Sequence, residues 1–84
     1  MADVIIYTRQ GCGYCSAAKR LLSAKGVTFR EIDCTGNATL RSEMMEKSGR
    51  NTFPQVFIGG THVGGCDDLH ALDHSGKLDG LLAA

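Results

Sequence analysis

The stretch Val4-Ile5-Ile6-Tyr7-Thr8-Arg9-Gln10-Gly11-Cys12-Gly13-Tyr14-Cys15 decides the fold class. Val4 to Thr8 is a short apolar run rich in β-branched residues, the pattern of a buried strand. Arg9-Gln10-Gly11 reads as a loop. Beyond it Cys15, Ala18, Leu22 and then Leu21, Lys25 recur at helical spacing, and Gly26 supplies a stop. Two cysteines three residues apart, at a strand-to-helix transition in a short chain, read as a redox site.

Working outward, Thr28-Phe29-Arg30-Glu31-Ile32-Asp33 reads as a second strand. Strand, helix and strand within about thirty residues make a βαβ unit, so these two strands are expected to be parallel with a right-handed crossover. Cys34-Thr35-Gly36-Asn37 is a turn, and Asn37 is a candidate N-cap for a helix through Lys47 that Ser48-Gly49 ends. Asn51-Thr52-Phe53-Pro54 is a loop leading into the strand Gln55-Val56-Phe57-Ile58. Gly59-Gly60 reads as a tight hairpin turn into Thr61-His62-Val63. Gly64-Gly65 breaks the pattern, Cys66 to Leu72 starts another helix, and Leu78 with Leu81-Leu82 suits a short final helix. The expected class is α/β: one domain over residues 1–84, with a four-stranded mixed sheet flanked by helices in the order β-α-β-α-β-β-α.

Composition narrows the function classes. The chain has 84 residues, enough for one domain with a thin core. Nine Lys and Arg balance nine Asp and Glu. No global field therefore draws nucleic acid or an acidic membrane, and any anion recognition is local. No apolar run approaches the roughly 18 residues that span a bilayer. Met1-Ala2-Asp3 runs straight into the first strand without signal-peptide character, so a reducing, cytoplasmic setting is expected. A disulfide scaffold wants a secreted context. A four-cysteine zinc site wants a second close pair, whereas Cys34 and Cys66 stand apart.

The chemistry follows from position. Cys12 sits where the helix begins, so unpaired N–H groups and the positive dipole end favour its thiolate. Arg9, one short loop away, adds positive charge. Cys15, one turn in and on the apolar face, is expected to stay a thiol until it attacks a mixed disulfide. Cys12 is then the nucleophile and Cys15 the resolving thiol. Gly13 in the first helical turn costs about 0.5–1 kcal/mol of backbone entropy relative to alanine. It adds one more N–H near the Cys12 sulfur.

Ile6-Tyr7-Thr8, Cys12-Gly13-Tyr14-Cys15, Thr52-Phe53-Pro54 and Gly64-Gly65-Cys66-Asp67-Asp68 together resemble a small bacterial glutaredoxin, over essentially the whole chain. The resemblance implies a thioredoxin fold, with glutathione as reductant and co-substrate for disulfide-bearing or glutathionylated proteins. It implies that Phe53–Pro54 is cis and that the backbone of Thr52-Phe53-Pro54 pairs with glutathione; an ordinary trans proline opening an edge strand is the alternative. It further implies that Gly65, Cys66 and Asp67 meet the γ-glutamyl group, that Arg9 and Arg41 hold the glycyl carboxylate, and that Tyr14 lies beside the tripeptide. Asp67 and Asp68 also suit a helix N-terminus as plain dipole partners, and Arg41 equally suits a solvated surface.

Two departures matter. The commonest dithiol glutaredoxins have proline where this chain has Gly13, and a smaller β-branched residue where it has Phe53. Glycine there is shared with members that hold a [2Fe–2S] cluster between two protomers through the residue equivalent to Cys12 and two glutathiones. A monomeric enzyme is expected, with a cluster-bridged dimer as the alternative and no other metal site. A thioredoxin-like protein recharged by a flavoprotein reductase is a third reading, which the Arg9, Thr52, Gly65-Asp67 set disfavours. Cys34 reads as an incidental thiol, and His62, His70 and His74 as surface histidines.

Overall fold

A computed structural model of the chain describes residues 2–84. The middle of the fold is β1 (Val4–Thr8), whose apolar side chains need cover on both faces. It is hydrogen-bonded on both sides: parallel to β2 (Arg30–Asp33) and antiparallel to β3 (Gln55–Ile58). β4 (Thr61–Gly64) adds antiparallel to β3, so the sheet runs β2-β1-β3-β4. Four helices complete it: α1 (Gly13–Ala24), α2 (Ala38–Ser48), α3 (Cys66–His74) and α4 (Leu78–Ala83).

Alternation along the strands divides the core in two. Val4 and Ile6 of β1, with Val56 and Ile58 of β3, pack against Ala18 and Leu22 of α1, Leu69 of α3 and Leu78 and Leu82 of α4. The intervening Tyr7 packs on the other face with Cys34 and Met44 of α2, joined by Ile5 and Phe57. Full burial of a leucine such as Leu22 contributes about 1.5–3 kcal/mol.

Local chemistry sets the element ends. The Asn37 side chain accepts the Leu40 N–H at 3.0 Å and starts α2, as its sequence predicts. Gly59 and Gly60 have φ of +58° and +81°, the pair of positive values that a two-residue hairpin of this hand requires. Lys25, the C-cap of α1, reaches Asp73 at 2.6 Å and Asp79 at 2.9 Å, tying α1 to α3 and α4.

Two expectations need correction. The second strand begins at Arg30 rather than Thr28, because β2 is an edge strand whose register with β1 starts at the Ile5–Arg30 pair. His62 is not a surface histidine. It lies half-buried on β4, its ring 5.1 Å from that of Phe57, and its Nε2 meets the Gln55 side chain at 2.7 Å.

Candidate active site

β1 ends at Thr8, the chain turns through Arg9-Gln10-Gly11, and α1 begins at Gly13. Cys12 is therefore the N-cap of α1, with an extended backbone that turns its sulfur toward the unpaired end of the helix. The Cys15 backbone N–H donates to Cys12 Sγ at 3.2 Å. Across the site, the Cys12 thiol lies 3.7 Å from the carbonyl oxygen of Phe53, 41 residues on in sequence. The Phe53–Pro54 peptide is cis.

The two thiols of the motif differ sharply. Cys12 is half-buried, while Cys15 is 2% exposed on the apolar face of α1. Burial first, and then the side-chain hydrogen bond with Cys12, push the Cys15 thiol from an ordinary 9.0 up to about 12. One turn of helix thus holds a reachable sulfur and a buried thiol that keeps its proton. All four cysteines are free.

Beside Cys12 runs a groove of about 190 Å³, whose lining includes Tyr14, Thr52, Phe53, Pro54, Cys66 and Asp67. Gly65 and two further charged residues, Arg50 and Asp68, also line it. It continues past Thr52 and Phe53 into a depression of about 390 Å³ that holds Arg9, Arg41 and Asn51. Every residue proposed from the sequence for the tripeptide thus borders one of two adjoining hollows, with the arginines at one end and Asp67 at the other. Tyr14 is 68% exposed and forms a wall.

The acidic end is built by α3. Asp68 accepts the Gly65 N–H at 2.9 Å and the Arg50 guanidinium at 2.8 Å, and these contacts, Arg50 first, hold its carboxyl below the usual carboxylate range. A side chain at Gly64, whose φ is +121°, would run into that carboxylate, which is why the backbone can come so close. Asp68 is thus occupied as a helix-start acid, while the Asp67 side chain is exposed to the groove. Cys66 is 8% exposed and packs into the main core, so what it offers the groove is its backbone.

Cys12 itself lines a separate cleft of about 370 Å³, together with Arg9, Lys19, Glu31 and Asp33. Glu31 accepts the Thr8 hydroxyl at 2.7 Å and Lys19 at 3.1 Å; these, Thr8 first, hold it ionised below its ordinary range. A thiol arriving at Cys12 through this cleft meets charged walls, with Lys19 and Glu31 paired.

Sequence reasoning missed three residues here. Arg50 sits in no motif and only its pairing with Asp68 reveals it. Gln55 reads as the first residue of a strand, yet it is wholly buried and donates from Nε2 to Thr52 O at 3.1 Å and Thr52 Oγ1 at 3.0 Å. His62, read as a surface residue, is its partner. A buried glutamine in a strand of apolar residues is the one signal that was available. Cys34 is buried beside Tyr7 and Met44, away from the groove. His70 Nδ1 lies 2.9 Å from the carbonyl of Cys66, and among the described residues no group of three or more metal-binding side chains is assembled.

The glutaredoxin family profile matches residues 4–63. A glutaredoxin of Pseudomonas aeruginosa is 58% identical over 84 residues, covering all of this chain and all of that protein. The solution structure of glutaredoxin from Brucella melitensis superposes with a TM-score of 0.87 at 66% identity, covering 98% of this chain and 89% of that one. The crystal structure of a buckwheat glutaredoxin–glutathione complex superposes with a TM-score of 0.88 at 30% identity, over 98% of this chain and 77% of that one. The four-stranded sheet with its flanking helices is the thioredoxin fold of these neighbours.

Proposed function

The chain belongs to the glutaredoxin family, and on that premise we propose that it is a glutathione-dependent thiol–disulfide oxidoreductase acting on protein disulfides and protein–glutathione mixed disulfides. The observation that carries this reading is the contrast within one helical turn: Cys12 Sγ capped by the Cys15 N–H at 3.2 Å and 3.7 Å from the carbonyl of groove-lining Phe53, Cys15 buried and protonated behind it.

Cys12 thiolate attacks the glutathione sulfur of a glutathionylated protein. The S–S bond breaks, the protein leaves as its thiolate, and Cys12 is left in a disulfide with glutathione. A second glutathione thiolate attacks that disulfide, releasing oxidised glutathione and restoring Cys12. On a protein disulfide, Cys12 forms the mixed disulfide and Cys15 attacks the Cys12 sulfur. The Cys15 proton passes to the departing substrate thiolate, and two glutathiones then reduce the Cys12–Cys15 bond. The burial that holds Cys15 protonated keeps it from competing with Cys12 for the first attack.

For recognition, the groove supports an extended tripeptide. Phe53 offers backbone atoms for strand-like pairing, and the first N–H groups of α3 with Gly65 offer donors to a carboxylate. Asp67 receives the γ-glutamyl ammonium, Arg9 and Arg41 the glycyl carboxylate, and Tyr14 covers the peptide. The buckwheat complex supports glutathione as the occupant. Four free cysteines suit a reducing, cytoplasmic setting, and no helix among the described residues is long and apolar enough to cross a membrane. A bridging [2Fe–2S] cluster fits less well. It would take Cys12 from each of two protomers with two glutathione thiols, and Cys15, whose N–H lies 3.2 Å from the Cys12 sulfur, is a second thiol that competes with it.

The test is glutathione-dependent reduction of a glutathionylated peptide by the wild type and by Cys15→Ser. Both are expected to turn over, with Cys15→Ser losing at least tenfold on a protein disulfide. Failure of both on the glutathionylated peptide would sink the enzyme reading and turn attention to the cluster.

A further inference from the structure

Gln55 is 0% exposed, and its amide hydrogen-bonds to Thr52 and His62. Thr52 O can only accept, so the Gln55 nitrogen must face it, at 3.1 Å, and the same nitrogen reaches Thr52 Oγ1 at 3.0 Å. This leaves Gln55 Oε1 facing His62 Nε2 at 2.7 Å, and that ring nitrogen must therefore carry a proton. Because Thr52 Oγ1 accepts from Gln55, its own O–H is free to turn into the groove that Thr52 lines.

We propose that Gln55 is a positioning residue for substrate binding: it clamps Thr52 and so fixes the Thr52-Phe53-Pro54 turn that borders the groove, while His62 on the neighbouring strand fixes the amide of Gln55. The inference rests on the glutathione reading of that groove given above. Stability alone does not account for a glutamine here, because apolar side chains of the same shape at Gln55 and His62 together avoid desolvating the pair and are close to neutral in a folded chain. Thr52 is itself exposed, so water can take over its carbonyl if the clamp is lost. What water cannot do is hold the turn in one place. The clamp acts equally on bound substrate and on the reacting complex, so its loss belongs in KM rather than kcat.

The experiment measures kcat and KM for a glutathionylated peptide, with thermal melting, for the wild type, Gln55→Met and His62→Phe. Loss of about one net hydrogen bond corresponds to about fivefold in KM, expected for Gln55→Met with kcat within twofold. His62→Phe keeps the ring but not the donor and is expected to raise KM about twofold to threefold. A folded Gln55→Met with wild-type KM overturns the inference. If Gln55→Met does not fold, His62→Phe decides it, and an unmoved KM there overturns it as well. Nitrogen NMR of wild-type His62 is an independent arm: a protonated Nε2 at neutral pH supports the chain of bonds, and a bare Nε2 breaks it. A wild type inactive on the peptide defeats the glutathione reading and this inference with it. An active wild type with unmoved KM in both variants defeats the inference alone.

Discussion

Four cysteines in one small chain differ mainly in what solvent can reach. Cys15, Cys34 and Cys66 are 2%, 5% and 8% exposed, and burial is the first cause raising each thiol above its ordinary range. Only the thiolate reacts with an alkylating agent. Brief treatment of the reduced native protein with iodoacetamide at pH 8 is therefore expected to add one carbamidomethyl group, on Cys12. The other three should follow only after denaturant is added. Peptide mass mapping reads the outcome, and equal labelling of Cys15 in the native protein would contradict the division of roles between the two thiols.

At the scale of elements, α3 carries the acidic half of the site, and its first turn depends on Asp68. That carboxylate takes the Gly65 N–H and the Arg50 guanidinium at once. Asp68→Ala frees both. Loss of a side-chain partner at a helix start costs about 1 kcal/mol, which for a domain of this size lowers the melting temperature by about 4–8 °C. Because Gly65 lines the groove, KM for glutathionylated peptide should rise as well; differential scanning calorimetry and steady-state kinetics on one preparation check both. The contrast between Asp67 and Asp68 also shows how far the sequence can be read. Spacing alone places both acids at a helix start, and it brings out β1, α1, the Asn37 cap, the Gly59-Gly60 turn and the order of elements along the chain. These are local signals: period, cap chemistry, glycine pairs. What it leaves hidden is set by partners distant in the chain. Arg50 matters through Asp68, 18 residues away; Gln55 and His62 matter through a bond across two strands; and the first residue of β2 is fixed by register with β1, not by its own composition. Arg41, ambiguous in sequence, joins Arg9 in one hollow only because α2 crosses the sheet there.

The molecule as a whole should be most stable between about pH 6.5 and pH 9. Cys15 is held protonated in the fold, from an ordinary 9.0 up to about 12, so unfolding releases a proton in that window. Stability is full below 9 and falls as pH rises toward 12; Cys34 and Cys66 act in the same sense. On the acid side, burial lowers His62 below its ordinary 6.5, so the fold favours the neutral ring and loses stability as pH falls through that region. Glu31, Asp33 and Asp68, all held below their ordinary range by hydrogen bonds, withdraw further stability below about pH 4. Melting temperatures across pH 3–11 should trace a plateau with two falling limbs, and Cys15→Ser should make the alkaline limb shallower. An alkaline limb unchanged in that variant would mean that Cys15 is not held protonated by the fold. The placing of β1 has one more consequence. The first strand made is the one that ends up in the middle, pairing with Arg30–Asp33 on one side and with Gln55–Ile58 on the other. During synthesis one edge can be covered once Asp33 has been made, while the other stays open until the ribosome has delivered Ile58. The Phe53 carbonyl that faces Cys12 arrives just before that segment, and Gly65 to Asp68 of the groove arrive later still, so the substrate groove is completed only near the end of synthesis.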